Sequence, residues 1–486
     1  MSGAPKKRPA GATSKPERPE PGFVLRRRAA RRAAAPPQKP VRSPPAAGRP
    51  ANPAREVAAE VLLRVERDGA WAGATLQAAL DGRPGLDPRD AALAGELALG
   101  TLRRQLSLDS AIEGAAGRPV AEIELPVRIL LREAAYQLLH LERIPPHAAV
   151  HEAVELTRAQ GLGRASGFVN AVLRRIQRGP PPALPEDPAE RLAIEQSHPV
   201  WLVRRWIARL GLAEARRLCE AENLPAPLCL RANARRTTAE ALAARIREAR
   251  PKARVEPGRF SPLAVNVLGA GPVGKLPGLR EGLFQVQDEA AQLVSLYASP
   301  GRTPLLDICA APGGKASHLA ELGARPVVAL DLSPRKLGRV AAEARRLGLP
   351  LVPVAADARA LPVRREAWPF VLVDAPCSGL GTLRRHPELR WRRQPEDIPR
   401  LALLQRQILA EAAHAVAPGG RLVYAVCTTE PEEGSAQLDW LLAEQPDFVL
   451  DPPPGLDAVT TGGVLSTSPA LHGTDGFYAF RVRRVR

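Results

Sequence analysis

The chain has 486 residues, of which 45% are hydrophobic and 25% charged, and it carries a net charge of +18 with a pI near 10.6. Because this length exceeds what one hydrophobic core organises, we expect two or three domains. The sequence has no apolar run long enough to span a membrane and no apolar stretch near its start, so neither a membrane span nor a secretory signal is predicted. The positive charge favours a polyanionic partner, usually a nucleic acid.

The five cysteines indicate a protein of the reducing cytoplasm. Their spacing forms neither a disulfide framework nor a Cys-x-x-Cys pair, and no His/Cys cluster typical of zinc sites accompanies them. We therefore expect free thiols, no metal and a cytoplasmic location. The cysteines are Cys219, Cys229, Cys309, Cys377 and Cys427.

The first 52 residues predict a disordered basic tail. They hold 13 Lys/Arg and two Glu, a net charge of +11, and are rich in Pro, Arg and Ala with almost no aromatic residues. Such a composition cannot bury enough apolar surface to fold. A solubilising role is one interpretation, but we favour an arm that binds phosphates without sequence preference.

Residues 53–180 show the periodicity of helices. Apolar residues recur at helical spacing in "AREVAAEVLLRVERDGAW" and in several later stretches, and strand signals are scarce. We expect an all-α domain of five to seven helices, ended by the proline-rich "GPPPALPEDP" at 179–188. Residues 181–300 then predict a linker and a small mixed α/β subdomain.

Residues 301–486 alternate between short apolar runs and helical stretches. This rhythm predicts an α/β Rossmann-like domain with a doubly wound, mostly parallel sheet. Residues 448–450 and 477–485 are expected to add an antiparallel pair of strands at the edge. The five strand-like runs are 304–309, 326–331, 351–357, 370–376 and 421–427.

Four acids close to the ends of successive predicted strands indicate a cofactor pocket: Asp307, Asp331, Asp357 and Asp374. In an open α/β sheet, ligands bind beyond the carboxyl ends of the strands, where acids can accept hydrogen bonds from ribose hydroxyls and the adenine amino group. The loop after the first strand has neither the Gly-x-Gly-x-x-Gly nor the phosphate-loop pattern. These features favour S-adenosylmethionine, although acids at strand ends also cap helices. The predicted cofactor-binding residues are Cys309, Ala310, Ala311, Pro312, Gly313, Gly314, Lys315, Asp331, Asp357 and Asp374.

Three motifs resemble the RNA 5-methylcytosine methyltransferases of the Nol1/Nop2/Sun family. They are "LLDICAAPGGK", "VDAPCSGLGTLRRHPELRW" and "VYAVCTTEPEE", and "TDGFYAFRVRR" resembles the C-terminal strand of that family. The helical residues 53–179 resemble a NusB-like RNA-binding domain, the arrangement of the bacterial Sun/Fmu type. The resemblance covers about residues 53–486. It implies methylation of carbon 5 of a cytosine in 16S ribosomal RNA, with S-adenosylmethionine as methyl donor.

The resemblance also implies roles for four residues. Cys427 adds to carbon 6 of cytosine, which makes carbon 5 able to attack the methyl group, and Cys377 assists release of the product. Asp374 hydrogen-bonds the edge of the base, and Lys315 favours the thiolate. The sequence departs from the family pattern around Cys427, where Thr428 supplies a hydroxyl after the cysteine but none precedes it. "EEG" at 432–434 also replaces the usual Glu-Asn or Glu-Glu-Asn, which puts local hydrogen bonds in question.

Several basic residues are candidate RNA contacts, although helix-end or solvated charges are the alternative interpretation. They are Arg103, Arg104, Arg174, Arg175, Arg384, Arg385 and His386. The motifs leave a transfer RNA substrate open. DNA cytosine methylation with Cys377 as nucleophile would leave the Cys427 motif without purpose. A noncatalytic ribosome-assembly factor is the alternative outside enzymes. We expect a monomer that binds 16S rRNA, free or in a partly assembled subunit.

Overall fold

The computed structural model describes residues 52–486, so the basic tail predicted for residues 1–52 lies outside the described residues except for Asn52. The Asn52 side chain accepts a hydrogen bond from the Ala54 N–H at 3.1 Å and caps the first helix, whose first residue is Pro53. Within the described residues, seven α-helices precede the proline-rich connector, which agrees with the prediction. They are α1 (Pro53–Asp68), α2 (Ala72–Asp81), α3 (Pro88–Arg103), α4 (Gln105–Ala116), α5 (Leu125–His140), α6 (Pro146–Ala159) and α7 (Ser166–Arg178). Their apolar faces form one core.

Three helices and a small antiparallel sheet follow. The helices are α8 (Pro188–Gln196), α9 (Val200–Leu210) and α10 (Leu212–Glu222). The sheet has the order β2-β3-β1-β4, and α11 packs on it around Leu230, Ile246 and Phe284. Its elements are β1 (Leu228–Ala232), α11 (Ala239–Ala249), β2 (Arg254–Pro257), β3 (Ala264–Leu268) and β4 (Phe284–Val286).

The remaining residues form the predicted doubly wound, mostly parallel sheet. Strands β9, β8, β5, β6 and β7 are parallel neighbours in that order, and β13 runs antiparallel beside β9. The elements are α12 (Glu289–Ala298), β5 (Leu305–Ile308), α13 (Gly314–Glu321), β6 (Val327–Asp331), α14 (Pro334–Leu347), β7 (Leu351–Ala355), β8 (Trp368–Asp374), α15 (Leu389–Arg392), α16 (Asp397–Ala415), β9 (Val416–Val426), α17 (Ser435–Glu444), β10 (Phe448–Leu450), β11 (Thr460–Thr461), β12 (Val464–Ser466), α18 (Pro469–His472) and β13 (Tyr478–Arg484).

The late strands differ in one respect from the prediction. β10 does pair antiparallel with β13, but β13 lies between β9 and β12 and is not an edge strand. The hairpin of β11 and β12 extends the sheet beyond it. These two strands are too short to give a sequence signal, and they are joined by Gly462 and Gly463, both with positive φ as a tight hairpin turn requires.

Two apolar layers cover the sheet. Neighbouring residues of β5 alternate between them, with Leu305 in the layer that contains α12 and α13, and Leu306 in the layer that contains α16. Because both faces are buried, the central strands are largely apolar, although β5 carries the buried Asp307. The carboxyl ends of β5, β6 and β8 lie at one rim, which the loops after them form. No helix within residues 52–486 has the length and apolar character needed to cross a membrane.

Candidate active site

The loop between β5 and α13 is held against the end of β6. Cys309 has a φ of 62°, unusual for a residue with a side chain, and Gly313 has a φ of 99°. The Ala310 N–H donates to the Leu330 carbonyl at 2.9 Å, and the Ala311 N–H donates to Asp331 Oδ2 at 3.2 Å. Pro312 is exposed, and α13 begins at Gly314. Residues 309–314, which the sequence predicts to bind the cofactor, therefore form the single turn that leads from β5 into α13.

The four predicted acids differ in their surroundings. Asp331 ends β6 and also accepts from the Ser333 N–H at 2.9 Å. Asp357 lies two residues beyond β7, because that strand ends at Ala355, and it pairs with Arg359 at 2.7 Å. Hydrogen bonds from Arg359 lower the pKa of Asp357 to about 2.

Asp307 is the most enclosed of these acids. It is the third residue of β5, fully buried, and neither carboxyl oxygen has a hydrogen-bond partner within the described residues. Burial, together with the nearby Asp374 carboxylate, raises its pKa well above the usual range. Burying a carboxyl without a hydrogen-bond partner costs free energy. Asp307 therefore indicates a functional site, and not packing alone, at this rim of the sheet.

The two cysteine motifs meet at the ends of β8 and β9. These strands pair in parallel, with Asp374 opposite Ala425, so the loops that follow them lie side by side. The Cys377 and Cys427 sulfur atoms are 3.3 Å apart, and both residues are partly exposed. The hydrogen bond with Cys427, together with burial, raises the pKa of Cys377 well above the usual range for a thiol. Cys377 is therefore the thiol partner that stays protonated.

An ion pair lies beside the two thiols. Lys315, in the first turn of α13, donates to Asp374 Oδ2 at 2.8 Å, and its ammonium group lies 4.9 Å from the centroid of the Phe477 ring. Burial disfavours the ammonium, but the charge and hydrogen bond of the Asp374 carboxylate outweigh burial and raise the pKa of Lys315. Lys315 is thus a buried cation that couples the cofactor loop to Asp374 of the first cysteine motif.

A second network fixes the two cysteine loops to each other. The Ser378 N–H donates to Glu433 Oε1 at 2.8 Å, and the Ser378 hydroxyl donates to Thr428 Oγ1 at 3.0 Å. Gln405 donates to the same Glu433 oxygen at 3.0 Å, and Arg393 donates to the Ser378 carbonyl at 2.7 Å. Thr428 keeps the hydroxyl after Cys427, and Glu433 lies in the "EEG" segment that departs from the family pattern; both take part in the local hydrogen bonds.

Sequence reasoning missed Ser378, Gln405, Glu433 and Arg393. Ser378 follows Cys377 directly, and Glu433 lies within the quoted second cysteine motif, so position alone could have drawn attention to both. Gln405 and Arg393 gave no signal, because their partners are distant in the chain. Glu433 is fully buried, and burial raises its pKa.

The other three cysteines are Cys219 and Cys229, which are buried, and Cys309 in the loop after β5. Burial raises the pKa of Cys219, in the core of α8–α10, to about 12, and it raises the pKa of Cys229 well above the usual range. Burial also raises the pKa of Cys309 to about 12. None of these thiols is primed to react at neutral pH.

Three of the predicted RNA contacts bind protein atoms, and of these only Arg385 is partly exposed. Arg103 donates to the Arg384 carbonyl at 3.4 Å, Arg384 pairs with Asp475 at 3.4 Å, and Arg385 pairs with Asp475 at 2.9 Å and with Asp288 at 2.5 Å. Arg103 and Arg384 are at most 7% exposed. These guanidinium groups hold the chain together, and RNA contact by them stays a prediction.

The other four candidates are more accessible. Arg104 and Arg174 are half-buried, and Arg174 donates to Gln177 at 3.0 Å. Arg175 is exposed and donates to the Ala115 carbonyl, and the His386 ring packs edge-on against Trp71. Their contact with RNA also stays a prediction.

The chain matches three families along its length. Residues 294–483 match the family described as 16S rRNA methyltransferase RsmB/F, residues 52–178 match the NusB family, and residues 198–274 match a ferredoxin-like domain of RsmF/B-like methyltransferases.

Curated relatives and a solved structure resemble the chain over most of its length. It is 35% identical over 444 residues to a probable ribosomal RNA small subunit methyltransferase B of Bacillus subtilis, covering 88% of this chain and 98% of the relative. It is 36% identical over 428 residues to ribosomal RNA small subunit methyltransferase B of Sodalis glossinidius, covering 87% and 96%. The crystal structure of PH0851 shares the fold, with a TM-score of 0.76 and 24% identity over 89% of this chain and 99% of that one.

Proposed function

The chain belongs to the RsmB/F family of 16S rRNA methyltransferases, and from this premise we propose that it methylates carbon 5 of a cytosine in 16S ribosomal RNA through a covalent bond to Cys427. The observation that carries the proposal is the 3.3 Å separation of the Cys377 and Cys427 sulfur atoms. The pair lies at the same rim as Lys315, Asp374 and the loop after β5. Two thiols in contact at such a rim fit a reaction that needs one nucleophile and one helper.

The methyl donor is S-adenosyl-L-methionine, and the rim of the sheet fits it. Residues 309–314 carry small side chains, which suits close approach of a ligand to the loop backbone. Gly313 has a φ of 99°, and an added Cβ there would lie 3.1 Å from Val340, so this turn requires glycine. The carboxylates of Asp331 and Asp357 are suited to hydroxyl and amino groups. Asp307, whose carboxyl has no hydrogen-bond partner among residues 52–486, supplies a further buried polar group. When bound, the cofactor supplies an electrophilic methyl group on a sulfonium. We propose that residues 309–315, Asp331, Asp357 and Asp374 bind it.

Cys427 is the proposed nucleophile. Its thiolate forms a bond to carbon 6 of the cytosine, and the electron pair of the C5=C6 double bond then forms the new bond from carbon 5 to the methyl carbon, while the bond from that carbon to the sulfonium sulfur breaks and its electron pair stays on the sulfur. The carbon 5 proton next leaves to a base, its electron pair restores the double bond, and the S–C6 bond breaks to return the thiolate. Cys377 assists this release, because its protonated sulfur lies in hydrogen-bond contact with Cys427.

Lys315 and Asp374 prepare the site for these steps. We propose that Lys315, a buried cation, assists the thiolate chemistry of Cys427 electrostatically. Asp374 holds Lys315 in place at 2.8 Å and presents its second oxygen to the edge of the base. The target base must leave its stack to enter such a site.

The matched families support the proposed division of labour along the chain. We propose a NusB-like RNA-binding domain at residues 53–180, a linker and small mixed subdomain at 181–300, and the catalytic domain at 301–486. The substrate is RNA, and the names of the relatives favour the small ribosomal subunit. We propose that the chain acts as a monomer, with the basic residues 1–52 adding salt-dependent affinity for phosphates.

Transfer of labelled methyl groups to small-subunit RNA tests the mechanism. Cys427→Ala should abolish transfer, whereas Cys377→Ala should leave enzyme covalently bound to RNA, visible on denaturing gels. Cys219→Ala is the matched control, since this thiol lies in the core of α8–α10, and it should behave as wild type. Full activity of Cys427→Ala would refute the nucleophile, and absence of the adduct in Cys377→Ala would refute the release role.

A further inference from the structure

Arg231 of the small antiparallel sheet is fully buried, yet it belongs to neither the cysteine motifs nor the cofactor loop. Its guanidinium group reaches out of β1 to α13, the helix that begins at the cofactor loop. We infer that Arg231 is a positioning residue for the cofactor site: it fixes the first turn of α13, so that the loop before this helix is preformed for S-adenosylmethionine.

The contacts of Arg231 span α13 from its first residue to its last. Nη1 donates to the Gly314 carbonyl at 2.8 Å, Nη2 donates to the Ser317 hydroxyl at 3.1 Å, and Nη2 also pairs with Glu321 Oε1 at 2.7 Å. The Ser317 hydroxyl itself lies 3.0 Å from the Gly314 carbonyl. The planar guanidinium group therefore fixes both the position of α13 along its axis and its rotation about that axis.

Two glutamines orient the fork. The Gln285 side-chain oxygen accepts from Arg231 Nη2 at 2.9 Å, and the Gln287 oxygen accepts from Nη1. The Gln287 amide also lies against Gly314, where an added Cβ would be 3.4 Å from its nitrogen. Together they leave Arg231 one orientation, which is what a positioning residue needs.

Stability alone is a weak reason for such a pair. Both Arg231 and Glu321 are removed from water, and burying two charges costs about as much as their attraction returns, so apolar replacements of both are often neutral. The contribution of this pair to the free energy of folding therefore does not explain why it lies at the helix that begins at the cofactor loop. A geometric role explains this position. Arg231 binds the Gly314 carbonyl, and the next residue is Lys315, so fixing Gly314 also fixes where the Lys315 side chain begins.

The test replaces the whole pair, so that no buried charge is left alone. In R231M/E321M, we expect the Kd for S-adenosylmethionine, measured by calorimetry on the full chain, to rise about fivefold, as loss of one hydrogen bond predicts. The KM for the cofactor should rise equally while kcat at saturation stays within about twofold. Amide hydrogen exchange at residues 314–317 should become faster in the cofactor-free protein.

The matched control is the buried pair of Arg132 and Asp109 in the helical domain, joined at 2.6 Å. R132M/D109L removes this buried pair from the helical domain, while Glu66, which also pairs with Arg132, keeps Arg128 as a partner at 2.6 Å. The variant should leave the Kd for the cofactor unchanged. If the double variant does not fold, R231K takes its place as the test. This variant keeps a positive charge beside Glu321 but loses the planar guanidinium group, and its Kd should lie between those of the wild type and the value expected for R231M/E321M.

Two outcomes separate this inference from the cofactor assignment. Wild-type Kd and wild-type exchange in a folded R231M/E321M, or in R231K, would overturn the inference while the cofactor assignment stands. Failure of the wild-type protein to bind S-adenosylmethionine would overturn the cofactor assignment, and the positioning role would fall with it.

Discussion

Gly381 joins the two cysteine loops, and an alanine in its place should separate them. The Gly381 N–H donates to the Cys427 carbonyl at 3.1 Å, and the Gly381 carbonyl accepts from the Gly476 N–H at 2.7 Å. A Cβ at this position would lie 2.0 Å from the Gly476 carbonyl oxygen, where real Cβ atoms essentially never come under 3.0 Å. Because the obstacle is backbone, the loop must move by at least about 1 Å.

A shift of this size matters for the reaction. The sulfur atoms of Cys377 and Cys427 are only 3.3 Å apart, so a 1 Å displacement of one loop breaks their contact. Misplacement of reacting groups by this distance costs on the order of 100-fold in rate. We therefore expect G381A to lower kcat for methyl transfer by about that factor, measured with labelled methyl donor at saturation.

The cofactor loop is separate from Gly381, so the Kd for S-adenosylmethionine should stay at the wild-type value. G167A is the matched control, because Gly167 lies in helix α7 with nothing within 4 Å of an added Cβ, and alanine favours a helix. Wild-type kcat in G381A, or a crystal structure of G381A with the sulfur atoms still 3.3 Å apart, would refute this reasoning.

Two further predictions concern stability and one concerns release. Burial raises the pKa of Glu133 in the helical domain to about 8. The folded chain therefore keeps a proton that an unfolded glutamate loses near pH 4.3. As the pH rises from 4 to 8, the contribution of Glu133 to the free energy of unfolding should fall by on the order of 5 kcal/mol. Urea unfolding of E133Q should show that dependence flattened, and an unchanged slope would contradict it. Arg390 donates to the Arg103 and Ser197 carbonyls at 3.1 and 3.0 Å. R390M should therefore lower the free energy of unfolding by about 3 kcal/mol and speed proteolysis of the 179–188 connector. Resistance to proteolysis equal to that of the wild type would contradict this prediction. Arg393 holds the carbonyl that follows Cys377, so R393Q should accumulate covalent RNA adduct at an unchanged Kd for S-adenosylmethionine, and a gel without adduct would count against that role.

The sequence was most informative where chemistry is concentrated in short motifs. The alternation of apolar runs predicted the parallel sheet, because strands buried on both faces are largely apolar. The strand ends then placed Cys377 and Cys427 at one rim, since parallel neighbours deliver their loops to the same side. That rim also holds Lys315 and Asp374, 59 positions apart in the chain.

The sequence was least informative about which charges are paired. Arg384 and Arg385 belong to a basic stretch, and a basic stretch gives no sign of a carboxylate about 90 positions further along. The structure pairs both with Asp475, and burial makes that pairing necessary. The position of β13 inside the sheet was missed for a related reason, because it depends on a hairpin too short to show periodicity.

The central claim is methylation of a cytosine in small-subunit RNA by way of Cys427. Bisulfite sequencing of total RNA from cells with and without the gene tests it most directly, because 5-methylcytosine resists conversion. We predict that one protected cytosine in the small-subunit RNA disappears without the gene, returns with the wild-type chain and does not return with Cys427→Ala. Loss of a transfer RNA site alone would leave the chemistry and move the substrate, whereas an unchanged pattern at every cytosine would contradict the claim.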